Sequence, residues 1–114
     1  MFRNILLISK NPKIKQLKNI SVNLKKYKFN VYISSEDKDE IKKQIYDNTI
    51  EIVWVLSDIP FCRRQSLCQW LYKNFPNKLY FSVALSLQDS CNIQICKLLQ
   101  RNECRSSFLV CGRI

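Results

Sequence analysis

The carboxylate of Asp58 ends the stretch Glu51 to Phe61, EIVWVLSDIPF, just before Pro60 and a loop. A carboxylate at the end of an apolar run could be the reactive group of a catalytic site, so its available helpers decide what it could do. The chain has no histidine, which removes Ser-His and Cys-His nucleophile pairs, histidine bases and histidine metal ligands together. Its one glycine, Gly112, lies near the end, so no glycine-rich turn exists to bring backbone amides onto a phosphate. No catalytic residue is assigned on this reading, and no cofactor is expected.

Six cysteines are the other reactive groups. Cys62 and Cys68 enclose five residues, Cys91 and Cys96 four, Cys104 and Cys111 six, and no C-x-x-C pair occurs. These spacings do not fit a metal centre, so no metal site is assigned. Without a secretory leader, reduced thiols acting as small buried hydrophobes are expected. Cys62 and Cys104 stand beside Arg63, Arg64 and Arg105, whose charge would favour thiolate, which keeps a thiol or redox activity open as an alternative.

Elements that could position these groups follow from periodicity. Asn4 to Ile8 is a short apolar run, as in a strand buried on both faces. From Pro12 to Lys26, Ile14, Leu17, Ser21 and Leu24 recur at helical spacing, with Ile20 and Tyr27 widening the stripe. Phe29 to Ile33 reads as a second strand, and Ser34 or Ser35 as the cap of a helix with Glu36, Asp37 and Asp39 in its first turn. IEIVWVL is a third strand. Arg63 to Phe75, with Leu67, Trp70, Leu71 and Phe75 on one side, is a helix stopped by Pro76. KLYFSVAL, Asp89 to Gln100 and SSFLVCGRI complete the series as strand, helix and strand.

This βαβαβαβαβ order predicts an α/β fold of three layers, a parallel five-stranded sheet in the flavodoxin-like order 2-1-3-4-5. A chain of 114 residues, 46% hydrophobic and 25% charged, suits one globular domain over residues 1–114. Its apolar runs are far short of the roughly 20 residues of a membrane span, so no membrane partner is expected. MFRNILLISKN lacks a long enough apolar core for a secretory signal, and a cytoplasmic location is expected.

ILLISKNPKIKQLK and EIVWVLSDIP, followed by SLCQWLYKNFPNKLYFSVAL, resemble the response-regulator receiver family over nearly the whole chain, Arg3 to Gly112. The resemblance implies a flavodoxin-like receiver fold. In that family two acidic residues after the first strand hold Mg²⁺, an Asp ending the third strand accepts a phosphoryl group, and a hydroxyl and a lysine follow strands four and five. The acidic pair corresponds here to Ser9 and Lys10. Counting back four residues from Pro60 places the acceptor at Leu56, not Asp58. The hydroxyl position falls at Ala84 and the lysine position at Cys111. The resemblance therefore implies a degenerate phosphorylation pocket of Ser9, Lys10, Leu56, Asp58, Ala84 and Cys111. An ion pair between Lys10 and Asp58 would mimic a filled site.

Receivers add a further helix after the last strand, and this sequence stops at Ile114. An uncovered sheet face around Leu79, Phe81, Val83, Phe108 and Leu109 is then expected to meet a second copy, another protein's helix or the rest of a longer natural chain. Charge is the remaining signal: the net is +10, with seven lysines and no acid from Lys10 to Lys28. Lys15, Lys18, Lys25 and Lys26 would form an outward patch for an acidic protein, nucleic acid or anionic lipid. The expected function is a pseudo-receiver, not an enzyme, that binds a protein partner in signalling or gene regulation. Basic nucleic-acid binding is the first alternative and thiol chemistry the second.

Overall fold

The structure, a computed structural model, describes residues 2–11, 13, 15–82, 94, 96 and 97. In chain order it contains β1 (Arg3–Ile8), α1 (Lys15–Lys26), β2 (Phe29–Ser34), α2 (Lys38–Asn48), β3 (Ile52–Val55), α3 (Phe61–Asn74) and β4 (Leu79–Phe81). The strands form one parallel sheet in the order β2-β1-β3-β4. This is the flavodoxin-like α/β arrangement, and its switch in strand order falls between β1 and β3. The expected fourth helix and fifth strand lie outside the described residues, apart from helical positions 94, 96 and 97.

The apolar run of β1 has a direct structural cause. Arg3 to Ile8 pairs with Phe29 to Ser34 on one edge, and Ile5 to Ile8 pairs with Ile52 to Val55 on the other. Ile5, Leu6, Leu7 and Ile8 are all 0% exposed, because helices cover both faces. Ile5 and Leu7 pack under α1 with Leu17, Ile20 and Leu24. Leu6 and Ile8 pack on the other face with Ile41 and Ile45 of α2 and with Leu67 and Leu71 of α3. Each of these side chains contributes roughly 1.5–3 kcal/mol by leaving water.

Local signals set the boundaries. Asp37, not Ser34 or Ser35, caps α2: its Oδ1 accepts from the Asp39 N–H at 2.9 Å. Ser34 is diverted to the Ser35 carbonyl and Ser35 to Glu40, which leaves the cap to the next acceptor in the chain. The turns after α1 and α2 use Lys28 (φ 69°) and Thr49 (φ 52°) in the left-handed region. A residue with a Cβ there costs about 1–2 kcal/mol, and tertiary packing must offset it. Cys68, 2% exposed on α3, is disulfide-bonded. That corrects the expectation of uniformly reduced thiols, since packing can join cysteines whose spacing gives no hint. No helix among the described residues is long and apolar enough to cross a membrane.

Leu7→Ala removes a fully buried side chain from the central strand, and the expected cost is about 2–5 kcal/mol. Val22→Ala, on the outer face of α1 at 49% exposure, is expected to change stability by no more than about 0.5 kcal/mol. Urea midpoints at constant m-value check both.

Candidate functional site

The crevice at the carboxyl ends of β1 and β3 is where open α/β sheets hold ligands. β1 leaves the sheet at Ser9, whose N–H donates to the Ser34 carbonyl at 3.0 Å. β3 is prolonged by Leu56, whose N–H donates to the Ile8 carbonyl at 2.9 Å. Parallel pairing thus brings Ser9 and the Ser57–Asp58 turn side by side, although they are nearly fifty residues apart in the chain.

Asp58 is half-buried in this crevice. Ser9 Oγ donates to its Oδ2 at 2.6 Å, and the Asn11 N–H is shared between Asp58 Oδ2 at 3.1 Å and Ser9 Oγ at 3.1 Å. Both donors therefore converge on one carboxylate oxygen. Its other oxygen, Oδ1, is buried and has no hydrogen-bond partner among the described residues. Ser9 itself is 0% exposed. Lys10 is exposed and makes no ion pair with Asp58; the expected pair is replaced by the Ser9 and Asn11 bonds. A neutral hydroxyl already fixed by the strand end reaches the carboxylate without immobilising a long cationic side chain.

Leu56 is 0% exposed and packs into the α1-side core with Ile52 and Trp54. Ala84 and Cys111 lie outside the described residues. Among the described residues, no group of three or more Cys, Asp or Glu side chains is placed to hold a metal ion.

Arg64 is a functional-looking residue that the sequence reading passed over. In the first turn of α3 it is buried, its Nε donating to the Ile59 carbonyl at 2.9 Å and its Nη1 to Ser82 Oγ at 2.8 Å. It therefore ties the loop after β3 to the residue after β4, and burial lowers its pKa from the ordinary value. Nothing in its spacing marks it, since any first-turn arginine would read as solvated. Arg63 faces the other way and makes a two-pronged contact with Glu36, both distances 2.9 Å, whose hydrogen bonding raises the guanidinium pKa. Free, exposed Cys62 thus adjoins two cations that are already engaged. Cys96 is buried and free, and burial pushes its thiol up to about 12.

The lysines gather elsewhere. Lys13, Lys15, Lys18 and Lys25 line a groove of about 470 Å³ between α1 and β2, floored by Leu17, Ser21, Val31 and Ile33. Lys26 is exposed and does not line it. Of the expected interface, Leu79 is partly buried against the α1-side core; the side chains of Phe81, Val83, Phe108 and Leu109 lie outside the described residues.

Ser9→Ala should cost about 1.5–3 kcal/mol by removing a hydrogen bond to a charged group. Combined with Asp58→Ala it should cost clearly less than the sum of the two single changes, a coupling read from a denaturation double-mutant cycle.

Comparison with known proteins adds one finding. No family model and no curated protein matches the chain. Among solved structures, the chain is similar to the crystal structure of the non-phosphorylated receiver domain of the stress response regulator RcsB from Escherichia coli. The TM-score is 0.58 at 13% identity, covering 89% of this chain and 77% of that one. At that identity the likeness speaks for the fold alone, and the chain has the fold of a response-regulator receiver domain.

Proposed function

We propose that the chain is a single receiver-like domain that acts as a regulatory module by binding a protein partner, and that it neither accepts nor transfers a phosphoryl group. The observation that carries this is the occupation of the β1–β3 crevice. In a receiver, Mg²⁺ needs carboxylate oxygens beside the acceptor, and the phosphoryl oxygens need cations and donors. Here the β1 exit supplies the buried hydroxyl of Ser9 and the exposed ammonium of Lys10. Counting back from Pro60, the acceptor's place corresponds to Leu56, whose hydrocarbon is buried.

Asp58 is the carboxylate that the described residues place there, and its Oδ2 already accepts two hydrogen bonds from the β1 exit. A phosphoryl group brings three more acceptor oxygens. Buried acceptors placed together without a metal or a paired cation are mutually unfavourable. The arrangement supports a crevice in which Ser9, Asn11 and Asp58 Oδ2 are held by one another, which suits a scaffold for binding.

Incubation with acetyl phosphate and Mg²⁺ should leave the intact mass of the protein unchanged, while a competent receiver treated in parallel gains a phosphoryl group. Stoichiometric labelling mapped to Asp58 would overturn the proposal.

A further inference from the structure

We infer that the groove between α1 and β2 receives an extended acidic peptide segment of a protein partner, which adds to the sheet as a strand beside β2. Four independent features converge there.

The first is the edge itself. β2 is the outermost strand of the described sheet. The Lys28 and Ser34 carbonyls bond toward β1, accepting from Arg3 and Ser9, so alternation along the strand turns the carbonyls of Val31 and Ile33 outward. The only described cover is a marginal contact, Gln44 Nε2 to the Ile33 carbonyl at 3.5 Å. Edges that must stay unpaired usually carry lysine, proline or a bulge. FNVYIS contains neither residue, and its register with β1 runs unbroken from Phe29 to Ser34.

The second is the floor. Leu17 of α1 with Val31 and Ile33 of β2 line the groove, and Ile33 is 36% exposed. The third is an unmet polar group. Ser21 lines the groove and is 9% exposed, and its Oγ is buried without a hydrogen-bond partner among the described residues. Such a hydroxyl is a standing cost until a ligand satisfies it.

The fourth is charge. α1 reverses into β2 through Tyr27 and Lys28, so helix and strand run in opposite directions. Lys25 then stands toward the Val31 end of the groove, with Lys15 and Lys18 toward the Ile33 end. A segment with two apolar residues on one face and carboxylates before and after them matches floor and rim together. Main-chain bonds to the edge would supply affinity, and the side-chain pattern specificity. A nucleic-acid backbone would use the lysines but leave the apolar floor and the strand edge unused, so an acidic peptide fits better.

The inference rests on the reading of the chain as a binding module, yet its test is independent of phosphorylation. The probe is a heptapeptide, Glu-Glu-Val-Thr-Val-Glu-Glu, titrated into the ¹⁵N-labelled full chain. Binding should shift the Val31 and Ile33 amides and weaken with salt. Lys18→Glu with Lys25→Glu, both exposed positions, should weaken it by about tenfold or more with the circular-dichroism melting curve unchanged. Ile33→Lys should block the edge. Methylating alternate peptide nitrogens on one edge should abolish binding, and methylating those on the other should not. Equal binding by both methylated peptides, shifts confined to other surfaces, or preference for a duplex DNA through the same lysines would each overturn the inference. Labelling of Asp58 by acetyl phosphate would sink the preceding proposal without touching this one.

Discussion

The structure depends on a constraint at β1: a strand paired on both edges and covered on both faces must be apolar throughout and must dispose of its polar ends within a residue or two. Ile5 to Ile8 meet the first requirement, split alternately between the α1-side core and the α2/α3-side core. Asn4 meets the second at the entry, where its Nδ2 donates to the Asn48 carbonyl at 2.6 Å. Ser9 meets it at the exit. With β1 fixed, β2 and β3 take their register from it, and the helices have only the two faces left to occupy.

The same constraint shapes the crevice. A parallel sheet delivers all its strand ends to one side, so whatever follows β1 meets whatever follows β3. In this chain the meeting is between a hydroxyl and a carboxylate, with a backbone N–H as the second donor. Leu56 extends β3 with hydrocarbon just where the strand emerges. Arg64 performs a comparable task one strand along, bonding the Ile59 carbonyl and Ser82 from the first turn of α3. A buried guanidinium requires such partners, because desolvating it without them would cost several kcal/mol. Both sets of contacts close the carboxyl edge of the sheet with groups the chain itself provides.

Much of this was legible in the sequence, for reasons that differ by element. Both-face burial reads as a continuous apolar run, so β1 and β3 were visible; one-face burial reads as a helical stripe, so Leu17, Ser21 and Leu24 marked α1. The α2 cap was misplaced because Ser34, Ser35 and Asp37 are all chemically fit, and only the fold reveals which oxygen faces a free N–H. A Lys10–Asp58 pair, one of two readings open in the sequence, does not form for a related reason: opposite charges invite pairing on paper, whereas Ser9 and the Asn11 backbone arrive pre-positioned. Arg64 was missed because burial of a charge leaves no periodic trace. The lysine patch was visible as charge, but its groove was not, since half of it belongs to β2 and the sequence sets no distance between Lys25 and Val31.

The contrast between the β1–β3 crevice and the groove beside β2 bears on where binding free energy is available. Hydrogen bonds contribute little net when they exchange one partner for another, and much more when they relieve a group that folding left unpaired. Around Asp58 the chain's own donors engage Ser9 and Oδ2, and the remaining acceptor, Oδ1, calls for a donor or a cation, neither of which a phosphoryl oxygen is. Beside β2 the unmet group is the donor-and-acceptor hydroxyl of Ser21, next to outward main-chain groups, exposed Ile33 and lysines with no acid among the described lining residues. Among the described residues, the β2 side therefore combines unmet groups of three kinds, and a second polypeptide is the ligand that would supply main-chain donors, carboxylates and apolar side chains together.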